Sequence, residues 1–200
     1  VIAILLASVI AVINPSWGFG VPLMPIHLLW INLITDALPA FALGLEPVEE
    51  GIMERKPRSK DEGFFANGLM IKIIWQGLMV GLLTLLSYSI GQYFSTHEYA
   101  MTMAFITMSG AELCHAFNVK NHHTVFSKQV FNNKYLWGAA GIGVFLQLII
   151  IFTPLSKAFS LASLDPMHFI IAVALAFAVI PIVEISKRIE RGCLEINDRP

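Results

Sequence analysis

Three oxygen-bearing side chains interrupt an otherwise apolar stretch of this 200-residue chain. They belong to Asn32, Thr35 and Asp36, and Pro39 follows them. On an α-helix, residues at i, i+3 and i+4 share a face, so the spacing predicts that their oxygens lie together. Because Pro39 has no N–H to donate to the carbonyl of Thr35, we expect the helix to loosen there and expose backbone carbonyls. Such oxygens beside a carboxylate are typical ligands of hard cations.

Two further acids fall in apolar segments. A charged side chain at the centre of a bilayer costs about 2.5–3.5 kcal/mol on insertion scales, so an acid there needs a partner or a function. Glu112 is a second candidate cation ligand, with a structural role satisfied by neighbouring polar groups as the alternative. For Asp36 the alternative is a hydrogen-bonded acid that seals the bundle. Glu184 is expected to pair with Lys187 or Arg188.

The composition indicates a membrane protein. Hydrophobic residues make up 56% of the chain and charged residues 14%, and the mean hydropathy is +0.69. A soluble domain needs a more polar surface than this. We therefore expect the lipid bilayer as a partner and no nucleic acid. The sequence contains no glycine-rich phosphate loop and no nucleophile elbow, so catalysis by this chain alone is not expected.

The hydropathy pattern predicts an all-α fold, a polytopic transmembrane helix bundle that occupies residues 1–200 without a soluble domain. Residues 1–13 are apolar but shorter than the roughly 20 residues that cross a bilayer. We expect them to be part of a helix that starts further upstream in a longer polypeptide. About five complete spans are predicted, at 24–45, 69–94, 99–117, 135–152 and 167–185, the last interrupted by Pro181.

Basic residues predict the orientation of these spans. Of the thirteen Lys and Arg residues, eleven lie in three polar segments, at 47–66, at 118–135 and after residue 185. The positive-inside rule places those segments, and with them the C-terminus, in the cytoplasm. The other two are Lys72, inside a span, and Lys157, in a loop that is predicted to lie outside.

The stretch from Asn32 to Ala40 resembles the sixth transmembrane helix of the P-type cation-transporting ATPases, and of the calcium pumps in particular. Glu112, in the sequence Ala-Glu-Leu-Cys-His-Ala, resembles the acid in the eighth helix of those pumps. The number and order of spans resemble helices five to ten of those pumps, so the resemblance covers the whole chain. Three segments that follow the first match also resemble the pumps: Ala42-Leu43-Gly44, Ile52-Met53 and Lys56-Pro57-Arg58.

The resemblance implies that Asn32, Thr35 and Asp36 bind the transported cation, with Glu112 in a further site and protons carried in return. Ca²⁺ is the implied cargo. The pumps use ATP and Mg²⁺ through a phosphorylation motif and a nucleotide domain that are absent here, so we expect this chain alone to be inactive. Two further ligands, an Asn and a Glu of helix five, would precede residue 1. Ala37 departs from the glycine that often follows the aspartate.

The short predicted hairpin at 95–98 favours a compact, bacterial pump of the plasma membrane. Two other classes stay open at this point. One is a stand-alone ion channel or secondary cation carrier built on the same polar span, and the other is a structural anchor. Calcium, manganese and sodium all accept oxygen ligands, so the residues alone do not choose among them.

Overall fold

The computed structural model describes residues 2–13, 20–46, 69–120 and 131–197, and most of these residues lie in helices. Residues 14–19, the polar segment at 47–66 and residues 121–130 lie outside the described residues. The helices are α1 (Ile2–Ile13), α2 (Pro25–Gly44), α3 (Leu69–Phe94), α4 (His97–Lys120), α5 (Lys134–Phe152), α6 (Leu155–Ala158), α7 (Pro166–Phe177) and α8 (Val179–Asn197). The predicted all-α class is confirmed.

Four helical stretches of the described chain are long and apolar enough to cross a membrane. They are Pro25–Gly44, Leu69–Phe94, Lys134–Phe152 and Pro166–Glu190. The transmembrane bundle is thus confirmed as a fold class, while the limits of the predicted spans stay predictions. α4 is more polar than these four and lies in the middle of the bundle, in contact with α3, α5, α7, α8 and the centre of α2. Its neighbours are therefore largely protein.

α3 and α4 form a close antiparallel pair. A Cβ added at Gly91 of α3 would lie 2.6 Å from the Cα of Ala100 in α4, closer than real Cβ atoms come. Glycine therefore allows the two backbones to approach, as small residues do between membrane helices. Further along the pair, the Thr107 hydroxyl donates to Oγ of Ser87 at 2.7 Å. These contacts hold α3 and α4 close together.

The last helical stretch is interrupted at Ala178, between α7 and α8. Pro181 has no N–H, and its ring clashes with the carbonyl four residues earlier in a regular helix. The interruption therefore lies just before the proline. The Ala178 N–H still bonds the Ala174 carbonyl at 3.0 Å, and the Ile182 N–H bonds the Ala178 carbonyl at 3.3 Å. The chain consequently keeps its direction through the break.

Glu184 and Lys187 pair on α8, as expected from their spacing. The Lys187 Nζ lies 3.8 Å from Oε1 of Glu184, and both side chains are largely buried. The same ammonium group donates to the Asn118 carbonyl at 2.8 Å. Lys187 therefore also ties α8 to the C-terminal end of α4.

Candidate cation site

The three polar residues in α2 all lie in a single π-helical turn, Ile31–Asp36. Regular α-helix precedes this turn at Pro25–Trp30 and follows it at Ala37–Gly44. A π turn accommodates one extra residue and is often found at functional sites. Asp36, with φ −98° and ψ −51°, stays in the helical region. The loosening expected from Pro39 thus takes the form of a wider turn, and the helix does not unwind.

Thr35 is the buried member of the set, with 1% of its surface exposed. Its hydroxyl donates to the Ile31 carbonyl at 2.9 Å. Because the hydroxyl proton is used in this bond, the oxygen lone pairs stay available as acceptors. The Thr35 oxygen can therefore act as a neutral ligand from inside the bundle.

Asn32 and Asp36 differ from Thr35 in their surroundings. Asn32 is exposed and Asp36 is half-buried. The expectation of one shared face assumed α-helical geometry, and the wider π turn changes the angle between successive side chains. Neither side chain forms a hydrogen bond or ion pair with any other residue that the structure describes. The Asp36 carboxylate is therefore unpaired within the described bundle.

Glu112 reaches the same region from α4. α4 contacts the π turn directly, and the half-buried carboxylate of Glu112 interacts electrostatically with that of Asp36. Two like charges in an apolar bundle repel each other, and a cation between them relieves the repulsion. The structure thus places two acids from different helices within electrostatic range of each other.

Two hydrogen bonds attach α2 to α5 on either side of the π turn. The Trp30 indole N–H donates to Oε1 of Gln147 at 3.0 Å. The Asn133 side-chain amide donates to the Ala42 carbonyl at 2.8 Å. A buried amide in an apolar span is a sequence signal for such a bond in the case of Gln147. No comparable signal identifies Asn133, which lies just before α5.

All of the candidate cation ligands in this region are oxygen atoms. In the described segments, no group of three or more His, Cys, Asp and Glu residues is arranged to hold a metal ion. The candidate ligands are instead two carboxylates, a hydroxyl and an amide oxygen. Hard cations such as Ca²⁺ prefer this chemistry, whereas softer metals favour nitrogen and sulfur.

Comparison with known proteins identifies relatives along most of the chain. A family model described as "Cation transporting ATPase, C-terminus" matches residues 20–189. The calcium-transporting ATPase of Bacillus subtilis (strain 168) is 37% identical over 158 residues, which cover 78% of this chain and 18% of the relative.

Two other relatives agree with this match. Calcium-transporting ATPase 1 of Bacillus cereus is 36% identical over 185 residues, covering 83% of this chain and 20% of that protein. A calcium-transporting ATPase of Listeria monocytogenes is 36% identical over 192 residues, covering 95% of this chain and 21% of that protein. The chain spans about a fifth of the length of these relatives.

Proposed function

The chain belongs to the C-terminal region of the cation-transporting ATPases, a family of P-type ATPases, and on that premise we propose that it is the membrane part of an ATP-driven Ca²⁺ pump. The names of the relatives support Ca²⁺ as the cargo. The observation that carries the proposal is the juxtaposition of Asp36 in the π turn with Glu112 on α4. Family membership favours the pump over a stand-alone channel or carrier.

Each of the four site residues has a proposed role in binding Ca²⁺. Asp36 and Glu112 supply negative charge from two helices, and Thr35 and Asn32 supply neutral oxygens. Ca²⁺ takes six to eight oxygen ligands. Backbone carbonyls of the π turn and residues from the upstream part of the same pump complete the shell in this proposal. The transported ion is therefore held between residues of different helices in this proposal.

Proton counter-transport follows from the same two acids. Once Ca²⁺ leaves, two unpaired carboxylates in an apolar bundle carry a high electrostatic cost. Protons from the opposite side of the membrane neutralise these carboxylates and are carried across the membrane in the direction opposite to Ca²⁺. ATP and Mg²⁺ act in parts of the pump outside this chain, and the bilayer surrounds α2, α3, α5 and the stretch Pro166–Glu190 of α7 and α8. We place the C-terminus in the cytoplasm because of the distribution of Lys and Arg. The short hairpin at 95–98 supports a bacterial pump of the plasma membrane.

Transport into inside-out membrane vesicles tests this proposal. The complete pump should accumulate ⁴⁵Ca²⁺ only when ATP is supplied, and protons should leave the vesicles as Ca²⁺ enters. Asp36→Asn should abolish uptake. Calcium that moves down its gradient without ATP would contradict the pump and support the channel or carrier.

A further inference from the structure

The two hydrogen bonds that join α2 to α5 are placed so that the π turn lies between them. Trp30 is the last residue before the turn, and Ala42 lies in the α-helical part that follows it. Ala42 is 4% exposed and packs against Leu136 and Ala139 of α5. α5 therefore holds α2 both before and after the turn.

Helix geometry makes these two attachments depend on the π turn. In an unbroken α-helix of 3.6 residues per turn, Trp30 and Ala42 would point in directions about 120° apart around the helix axis. Only one of them would then face α5. A π turn takes up one extra residue and reduces this angle to about 20°. In this structure the π turn thus brings both attachments to the side of α2 that faces α5.

The partner side chains are well fixed for this purpose. Asn133 donates to Ala42 while its oxygen accepts the Leu136 N–H at 3.0 Å, so both ends of its amide are used. Gln147 is 8% exposed, and its Nε2 has no partner within the described residues. The bond from Trp30 is thus the one described hydrogen bond that orients the Gln147 side chain.

We propose that Trp30, Gln147 and Asn133 are positioning residues that hold α2 in its π turn and thereby set the arrangement of Asn32, Thr35 and Asp36. The link to ion binding rests on the proposed function of the site. The geometric part of the inference, that the attachments impose the turn, stands on contacts outside the candidate ligands. When the bond to Gln147 is lost, the segment Pro25–Trp30 rotates by about 100° relative to Ala37–Gly44 as the turn relaxes to α-helix.

Equilibrium binding of ⁴⁵Ca²⁺ to the complete pump, without ATP, tests the link to the site. Trp30→Phe and Gln147→Leu should each lower the Ca²⁺ affinity about fivefold, the effect of losing one buried hydrogen bond. The double variant should lose no more than either single variant, because both remove the same bond. The matched control is Gln92→Leu, which removes a buried amide of α3 whose Oε1 has no described partner. The Gln92→Leu control should leave the Ca²⁺ affinity unchanged. If the losses of Trp30→Phe and Gln147→Leu add up in the double variant, the proposal is overturned.

A second measurement follows the rotation itself. A fluorescent label at Leu29, which is 65% exposed, reports access of a lipid-soluble quencher to the N-terminal part of α2. In a background without the native cysteines, Gln147→Leu should lower the quenching of a label at Leu29. A label at Phe41, which is 76% exposed in the C-terminal part of α2, should keep its quenching and serves as the control.

The two measurements separate the positioning role from the proposed function. Unchanged quenching at Leu29 in the Gln147→Leu variant would overturn the positioning role even if the pump binds Ca²⁺ as proposed. If Asp36→Asn binds Ca²⁺ normally, the proposed site is wrong. A fall in Leu29 quenching in the Gln147→Leu variant would still support the attachment of α2 to α5 in that case.

Discussion

Gly143 of α5 lies directly against Leu113 of α4, and a Cβ added at Gly143 would lie 3.0 Å from Cδ2 of that leucine. Leu113 is buried and follows Glu112 in the chain. The absence of a side chain at Gly143 therefore lets α4 and α5 pack closely beside the candidate ligand. Small residues have this effect between membrane helices generally.

A methyl group at Gly143 should disturb this contact. Gly143→Ala should be less stable than the matched variant Gly141→Ala by about 1–3 kcal/mol, the range for overpacking a core. Gly141 is the appropriate control because nothing lies within 4 Å of a Cβ built there. Thermal unfolding of the two purified variants in detergent measures the difference. Equal stabilities would show that Leu113 moves aside freely.

The hydroxyl of Thr35 should matter more than its methyl group. Thr35→Val keeps the shape but removes the oxygen and the side-chain hydrogen bond to the Ile31 carbonyl. We expect the Ca²⁺ affinity of the complete pump to fall about tenfold, as for losing one buried polar partner. Thr35→Ser retains the hydroxyl and should bind Ca²⁺ almost as well as the wild type. Equal affinities of the Val and Ser variants in equilibrium binding would exclude Thr35 as a ligand.

Glu112 can be tested by removing its charge while keeping its size. Glu112→Gln removes the repulsion from Asp36 and one carboxylate ligand. We expect fewer Ca²⁺ ions bound per pump, or a weaker affinity, and fewer protons moved per cycle. Parallel measurements of Ca²⁺ uptake and vesicle pH give both quantities. An unchanged Ca²⁺ count and an unchanged proton count would assign Glu112 a purely structural role.

His27 is a structural residue in this fold. It is fully buried, its Nδ1 accepts the Met24 N–H at 3.2 Å, and its Nε2 donates to the Phe159 carbonyl at 2.6 Å. His27→Leu leaves both backbone groups without these bonds, so the protein should lose about 1–3 kcal/mol of stability. Leu29→Ala, on the exposed side of the same segment, should stay within about 0.5 kcal/mol of the wild type. Unfolding in detergent compares the two, and similar losses would contradict this role.

The helices and the candidate ligands on α2 could be predicted from the sequence because they depend on local pattern. Long apolar runs specify membrane helices, and Pro39 marked the place where the helix of Asn32 and Asp36 changes its geometry. The form of that change could not be predicted. A π turn depends on what the helix touches on both sides, and the partners of Trp30 and Ala42 lie far along the chain on α5.

The proximity of Asp36 to Glu112 could not be derived from local sequence pattern, although the family resemblance implied that both acids bind cations. The apolar surroundings showed that each acid needs a partner or a function, but the side chains lie on separate helices whose packing is set by long-range contacts. The Gly91 contact with Ala100 illustrates the point, since it fixes α4 against α3. A glycine pattern suggests close packing without saying which helix approaches.

Phosphorylation of the complete pump by ATP, measured with and without Ca²⁺, tests most directly the claim that this chain holds the transport site. In a pump whose transport site controls its chemistry, the wild type should form the phosphorylated intermediate only when Ca²⁺ is present. In the Asp36→Asn variant, Ca²⁺ should no longer trigger phosphorylation by ATP. Asp165→Asn alters an exposed acid outside the site, and this variant should still be phosphorylated when Ca²⁺ is present. Calcium-dependent phosphorylation of Asp36→Asn with wild-type affinity would contradict the account.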